Sequence, residues 1–168
     1  MRYSPTRLAL AAALAVAVWQ VACTQHRKGA SSVIEVADAS VAGQLAEGFY
    51  GIEDRNWRWT ADRFSVMLAT PPGADDRGAN LQLKFFVPDE EIQKTGPMTL
   101  RADVEEVALP PETIAKGGFV NYSREVPLAA LQSNLIKVEF SFDQPYVPGN
   151  GDARRLGAVV SKVSLTSK

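Results

Sequence analysis

The chain has 168 residues, of which 46% are hydrophobic and 22% are charged, and this composition is ordinary for one globular domain. The formal net charge is −1, and no run or stripe of Lys and Arg supplies the counterion release on which nucleic-acid binding depends. The composition therefore favours a single core and excludes nucleic acid as an expected partner.

An export signal helix is predicted over residues 1–22. MRYSPTR contains two Arg and no acid, and the stretch that follows, LALAAALAVAVWQVA, is nearly unbroken apolar sequence. This stretch ends at Ala22 and is shorter than the roughly 20 residues of a membrane span. We therefore expect a signal peptide rather than a transmembrane helix.

The residues after the signal indicate how the chain is attached to the membrane. VAC, at 21–23, resembles the lipobox of bacterial lipoproteins, in which the cysteine is acylated and becomes the mature N-terminus. Gln20 stands where such boxes carry an aliphatic residue, so an uncleaved signal anchor and ordinary cleavage near Thr24 remain open. The resemblance implies a protein anchored in the bacterial cell envelope, facing the periplasm or in the outer membrane. The residue after Cys23 is Thr24, whereas an inner-membrane retention signal has Asp at this position, so the sequence slightly favours the outer membrane.

Residues 23–31 are expected to form the lipidated cysteine and a flexible tether, and residues 32–168 the folded domain. Cys23 is the only cysteine, so no internal disulfide is possible and the core alone must stabilise the domain. His26, the only histidine, lies in the tether.

About eight β-strands are predicted in the domain, because short runs with period-2 alternation are separated by turns rich in Pro and Gly. The fold class that this pattern favours is all-β, an antiparallel two-sheet sandwich of jelly-roll or immunoglobulin-like type. Three short segments could hold helical turns: DEEIQK, PETIAK and PLAALQ. The strands are predicted at 32–36, 57–60, 64–68, 80–87, 98–107, 119–126, 135–142 and 156–165.

Alternation divides the side chains of two of these strands clearly between two faces. Alternation in LIKVEFSF places Ile136, Val138, Phe140 and Phe142 together, and a slip of one residue would expose two phenylalanines. In NLQLKFFV the same alternation places Leu81, Leu83 and Phe85 on one face.

Catalytic chemistry has little support in the sequence. A domain without His or Cys cannot form Ser-His-Asp or Cys-His machinery, and we predict neither a cofactor nor a metal. Two alternatives remain: an acid pair of the glycosidase kind and a calcium site in a loop. The pair would be Glu53 with Asp54 or Asp143 with Asp152, and the calcium ligands would be Asp75 with Asp76 or Asp143 with Asp152.

The stretch GFYGIEDRNWRWT, residues 48–60, is the strongest candidate for function. If it is extended, Trp57 and Trp59 share one face and Arg58 lies on the other. One interpretation is a sugar platform in which the indoles stack on a pyranose. Its ring hydroxyls would then bond to Arg55, Arg58, Glu53 or Asp54, and Tyr50 is a further candidate ligand-binding residue. The other is that Trp57 or Trp59 is a large core residue and that Arg58 pairs with Glu53 on the surface.

The last long loop, PYVPGNGDARRLGAVV, is open to two interpretations as well. Asp152, Arg154 and Arg155 could form an ion pair that pins the loop, which contributes little stability when exposed. Alternatively, an Arg such as Arg155 could hold a ligand carboxylate or phosphate with two hydrogen bonds.

Several stretches, GFYGIED, WRWT, GDARRLG and VVSKVSL, resemble an uncharacterised group of bacterial exported domains. More loosely, they are similar to sandwich modules appended to proteins of cell-surface polysaccharide assembly. The resemblance implies a sandwich whose two ends meet in a structural clasp, and it suggests glycan binding without implying any catalytic residue. The matching positions are Gly48, Tyr50, Glu53, Arg58, Trp59, Asp152, Arg155 and Gly157.

We therefore expect a membrane-anchored lipoprotein with a non-enzymatic domain that binds a polysaccharide or an envelope protein. The alternatives are a structural or assembly subunit without a small ligand and a carboxylate-based glycan hydrolase.

Overall fold

Antiparallel strands form most of the computed structural model, which describes residues 29–149 and 151–168. Short helical segments lie in the connections: α1 (Ala74–Arg77), α2 (Asp89–Thr95) and 3-10 turns at Ala39–Gln44 and Leu128–Leu131. The strands are β1 (Val33–Glu35), β2 (Leu45–Glu53), β3 (Trp57–Ala69), β4 (Ala79–Val87), β5 (Met98–Val104), β6 (Val107–Ala108), β7 (Glu112–Ile114), β8 (Gly118–Val126), β9 (Leu135–Phe142) and β10 (Leu156–Ser167).

The strands belong to one sheet that curls into two layers, in the order β6-β5-β9-β3-β10-β4-β8. The curl occurs at β3, which pairs with β10 through residues 58–61 and with β9 through residues 63–69. The first layer therefore contains the second half of β3 with β9 and β5, and the second contains β10, β4 and β8. The short strands β1 and β7 pair with β10 and β5, and the nine-residue strand β2 pairs with β3. The predicted all-β, antiparallel sandwich is confirmed, but its two layers belong to one curled sheet rather than to two separate sheets.

The core lies between the two layers and follows the predicted alternation. Ile136, Val138, Phe140 and Phe142 of β9 are buried, as are Leu81, Leu83 and Phe85 of β4. Phe64 stacks on Phe140 with ring centroids 4.9 Å apart, and Phe85 contacts Phe142 edge-on at 5.8 Å. Because β4 and β9 belong to different layers, this second contact joins them.

The strand count differs from the prediction because two boundaries were wrong and both β2 and β7 were missed. WRWT and FSVML belong to one 13-residue strand, β3, which stays continuous where it changes partner. The run predicted at 98–107 ends at Val104, and Glu105 and Glu106 form a turn with positive φ before β6. β2 is interrupted by register shifts, so its side chains do not alternate.

The helical turns at DEEIQK and PLAALQ are confirmed as α2 and the 3-10 turn at Leu128–Leu131. The turn predicted at PETIAK is wrong: Glu112–Ile114 is the strand β7, paired with β5. The predicted signal helix, Cys23 and His26 lie outside the described residues. Within residues 29–149 and 151–168, no helix is both long and apolar enough to cross a membrane.

Candidate functional site

A row of apolar side chains crosses the outer face of the second layer. Trp59 of β3 is registered with Val159 of β10, Val159 with Phe86 of β4, and Phe86 with Phe119 of β8. Residues directly opposite each other on neighbouring strands share a face of the sheet. Phe85 points into the core, so Phe86 and the rest of this row point outward.

The row is accessible to a ligand. The Phe119 side chain is 93% exposed, and its ring lies 5.0 Å from that of Phe86. On the other side of Val159, the indoles of Trp57 and Trp59 meet edge-on at 6.5 Å, and both are only partly buried. A continuous apolar patch of this kind marks an interaction site more often than isolated exposed apolar residues do.

These side chains line an open cavity of about 360 Å³, which we call the aromatic cavity. Val159 lies between the two aromatic pairs, and Pro88, directly before α2, completes the lining. Its volume falls within the roughly 300–1,000 Å³ that is usual for small-ligand sites. The six lining residues are Trp57, Trp59, Phe86, Pro88, Phe119 and Val159.

A second cavity, of about 320 Å³, adjoins the first and is partly polar. Lys84 and Asn121, which are paired across β4 and β8, lie two residues from Phe86 and Phe119 on the same strands. Together with Ser161 of β10 they supply the polar lining of this polar cavity. Phe119 lines both cavities.

The polar cavity contains one ammonium group without a counter-charge in the described part of the chain. Lys162 of β10 lies directly opposite Lys84, and like charges in this position repel. Glu35 neutralises Lys162 through an ion pair of 2.7 Å, whereas Lys84 has no ion pair with any described residue. The Lys84 ammonium is therefore available to a ligand.

The clasp expected between GFYGIED and GDARRLG is present, and Arg154 is its centre. Its guanidinium contacts Asp152 at 2.8 Å and Glu53 at 3.4 Å, and it lies 5.1 Å from the ring centroid of Tyr50. Hydrogen bonds from Arg154 lower the pKa of Asp152. Two segments about a hundred residues apart are thus joined, as the ion-pair interpretation of the last loop predicted.

Arg155 is held beside the clasp rather than within it. Its guanidinium donates to Asp62 at 2.7 Å, while its backbone carbonyl accepts from the Tyr50 hydroxyl at 3.3 Å. Asp62, in the middle of β3, was not predicted as a partner. Because Arg155 is engaged in this way, ligand binding by its guanidinium would require breaking an ion pair.

The predicted pairing of Arg58 with Glu53 is wrong. Arg58 donates to the backbone carbonyls of Val36, at 2.8 Å, and Tyr50, at 2.9 Å. It lies on the face of β3 opposite Trp57 and Trp59, as the alternation predicted. Its donors hold the backbone around β2, so Arg58 does not belong to the aromatic cavity.

The alternative in which Trp57 or Trp59 is a core residue is also wrong. Both indoles line the aromatic cavity on the outer face, and neither is among the buried residues of the core. The large aromatic side chains of the core are instead Phe64, Phe85, Phe140, Phe142 and Tyr122.

The carboxylates do not form an obvious reaction centre. A general acid needs a raised pKa, but Arg154 lowers the pKa of Asp152. Asp143 accepts from the backbone N–H of Thr99 at 2.7 Å, and Glu53 is in the clasp. Among the residues that the structure describes, no group of three or more His, Cys, Asp or Glu is placed to hold a metal ion.

Four residues of the aromatic cavity were missed by the sequence analysis: Phe86, Pro88, Phe119 and Val159. Alternation in NLQLKFFV does place Phe86 opposite the inward Phe85, and that signal marks it as an exposed aromatic residue. Nothing local connects it to Phe119 or Val159, because their proximity depends on the pairing of four strands.

No protein-family model matches the sequence, and no curated protein does either. Among solved structures, a family 35 carbohydrate binding module from an environmental isolate is similar in fold, with a TM-score of 0.51 and 9% identity over 81% of this chain and 93% of that chain. A weaker match is the CBM36-1 domain of a multidomain xylanase from the hindgut metagenome of Trinervitermes trinervoides, with a TM-score of 0.41 and 7% identity over 73% of this chain and 88% of that chain. Another is dimeric latent PorU from Porphyromonas gingivalis, with a TM-score of 0.40 and 8% identity over 63% of this chain and 10% of that chain. The first match supports the sandwich fold.

Proposed function

We propose that the protein is a non-enzymatic glycan-binding module of the cell envelope and that the aromatic cavity is its sugar site. The observation that carries the proposal is the row of Trp59, Val159, Phe86 and Phe119 on the open face of the second layer. A pyranose has an apolar face of C–H groups, and this face packs well on flat aromatic rings. Its hydroxyl groups need hydrogen-bonding partners at the edge of the site.

The surroundings of the row meet both needs. Aromatic rings stand on either side of Val159, so a sugar ring can contact two walls and a floor. Lys84 and Asn121, two residues further along β4 and β8, provide donors and an acceptor for the part of the glycan that extends beyond the rings. This combination of an apolar lining with a few polar groups is typical of small-ligand sites.

The similarity to a family 35 carbohydrate binding module is compatible with this proposal but shows only the fold. The clasp of Tyr50, Glu53, Asp152 and Arg154 has a supporting role: it fixes the hairpin between β2 and β3, and Trp57 begins β3 directly after that hairpin. We therefore assign Trp57 and Trp59 to the site itself and place Tyr50, Glu53, Asp152 and Arg155 in its scaffold.

The test is a binding assay with the full-length protein in detergent, run against β-glucan, xylan, mannan, soluble chitin and peptidoglycan fragments. We expect one of these to bind and Phe119→Ala to weaken binding by at least about tenfold, equivalent to about 1.4 kcal/mol. Leu135→Ala is the matched control, because Leu135 is an exposed apolar residue on the outer face of the other layer. Unchanged binding by Phe119→Ala and Trp59→Ala would remove the aromatic cavity from the function.

We also propose that Cys23 is acylated and anchors the domain in the envelope membrane. The apolar stretch before Ala22 and the following Cys23 support this proposal. Mass spectrometry of the membrane fraction should find acyl groups on Cys23, and Cys23→Ala should leave an unlipidated, longer precursor. A wild-type protein without acyl groups would contradict the anchor without affecting the sugar site.

A further inference from the structure

We infer that the ligand is a glycan chain bound across two subsites, with one sugar unit in the aromatic cavity and the next in the polar cavity. This inference rests on the proposed function and adds a minimum ligand length and a direction. The chain would run along β4 and β8, from Phe86 and Phe119 towards Lys84 and Asn121.

The geometry of the two cavities supports two adjacent units. They have similar volumes, about 360 and 320 Å³, and they share the side chain of Phe119. The step from Phe86 to Lys84 is two residues of an antiparallel strand, or about 7 Å. One pyranose ring has about this extent, so a linked pair of rings can place one ring in each cavity.

The chemistry of the two cavities is complementary. The side chains that line the aromatic cavity offer flat apolar surface, and their only polar groups are the two indole N–H donors, so the cavity binds a sugar ring mainly by its C–H face. The polar cavity has the Lys84 ammonium, the Asn121 amide and the Ser161 hydroxyl. The Ser161 hydroxyl donates to the Lys84 carbonyl at 3.3 Å and so keeps its lone pairs free to accept.

The side chains that would bind the second unit are free to do so. Among the described residues, neither the Lys84 ammonium nor the Asn121 amide has a hydrogen-bond partner, and both side chains are exposed. A ligand would therefore gain these hydrogen bonds without breaking others. A single sugar in the aromatic cavity cannot reach them, so affinity should depend on chain length.

The experiment is calorimetric titration of the full-length protein in detergent with β-1,4-linked oligosaccharides of one to six glucose, xylose, mannose or N-acetylglucosamine units. For the sugar that binds, we expect the disaccharide to bind at least about tenfold more tightly than the monosaccharide. Asn121→Ala with Lys84→Gln should remove this gain and leave monosaccharide affinity unchanged. Ser123→Ala, an exposed change two residues further along β8, is the control and should bind like wild type.

The outcomes separate the inference from the proposed function. If no sugar binds, or if Trp59→Ala leaves binding unchanged, the proposed function fails and this inference fails with it. If Trp59→Ala weakens binding but the monosaccharide binds as tightly as longer chains, only the two-subsite inference is wrong. It is equally wrong if the Lys84 and Asn121 variant weakens monosaccharide and disaccharide binding to the same extent. Unchanged melting temperatures of the variants will show that each remains folded.

Discussion

Glu91 provides the sharpest test of the interior of this fold. It lies in the first turn of α2, and it is fully buried although it is an acid. Neither of its carboxylate oxygens has a hydrogen-bond partner among the described residues. Burial raises the pKa of Glu91 to about 8, because a charged carboxylate is poorly solvated there.

This raised pKa determines how stability depends on pH. Glu91 has a pKa of 4.5 in the unfolded chain, so between pH 4.5 and about 8 the unfolded state is ionised and the folded state is protonated. Unfolding then releases a proton, and the free energy of unfolding falls by up to about 1.4 kcal/mol per pH unit. The stabilising contribution is complete below pH 4.5 and is lost as the pH rises through 8.

Glu91→Gln removes the ionisable group and keeps nearly the same volume. From pH 5 to pH 7, we expect the stability of this variant relative to wild type to increase by about 2.5 kcal/mol. Urea unfolding at pH 5, 6, 7 and 8, followed by circular dichroism, measures the difference directly. The comparison uses the change with pH in the stability difference between variant and wild type. Any pH-independent effect of burying the amide therefore cancels.

Glu90→Gln is the matched control on the same helix. Glu90 is exposed and pairs with Lys94 at 2.8 Å, which lowers its pKa. The contribution of Glu90 is therefore present above its unfolded pKa and is lost on acidification, in the opposite direction to that of Glu91. A stability difference between wild type and Glu91→Gln that stays constant from pH 5 to pH 8 would refute the reasoning, because Glu91 would then be ionised and paired in the folded state.

Two further predictions concern the core and the hairpin beside the aromatic cavity. Phe140→Ala removes a ring that is 2% exposed and stacks on Phe64. We expect chemical denaturation to show a fall of about 3–5 kcal/mol in the free energy of unfolding. A fall below about 1 kcal/mol would mean that the register of β9 is wrong. Arg55→Gly should stabilise the protein by roughly 0.5–1 kcal/mol, because Arg55 has a φ of 60° and Gly adopts that conformation without steric cost. If the same assay finds the variant less stable than wild type, the turn at Arg55 is not strained.

The parts of the fold that were predictable are those where local pattern and burial agree. β9 alternates without interruption, so LIKVEFSF by itself identified Phe140 and Phe142 as inward residues. Turn residues and short apolar runs likewise revealed the number of layers, because so many one-faced strands need a second sheet to cover them.

β2 was unpredictable because its backbone departs from regular pairing. Its register shifts between Leu45 and Glu47, between Glu47 and Phe49, and again before Ile52. Gly48 has a φ of 74° there, and a Cβ at this position would collide with the carbonyl oxygen of Arg63. These bends break the period-2 pattern by which a strand is identified, so the sequence resembles a loop.

The candidate site was only half predictable, for a different reason. The shared face of Trp57 and Trp59 depends on spacing within one strand, and the sequence shows it. Their proximity to Phe86 and Phe119 depends on the order β3-β10-β4-β8 and on the register of three strand pairs. Register is set by burial of the whole sheet, so no short motif reveals it.

A comparison of the outer faces of the two layers leads us to expect that the aromatic row is not required for folding. On the first layer, the corresponding cross-strand row is polar and consists of Glu47, Ser65, Glu139 and Asp103. A polar outer face is thus compatible with this core, and Phe119 gains almost no burial from its position, since its side chain is 93% exposed. Phe119→Ala should therefore leave the melting temperature unchanged while it weakens glycan binding, and a large fall in melting temperature would show that the row stabilises the fold instead.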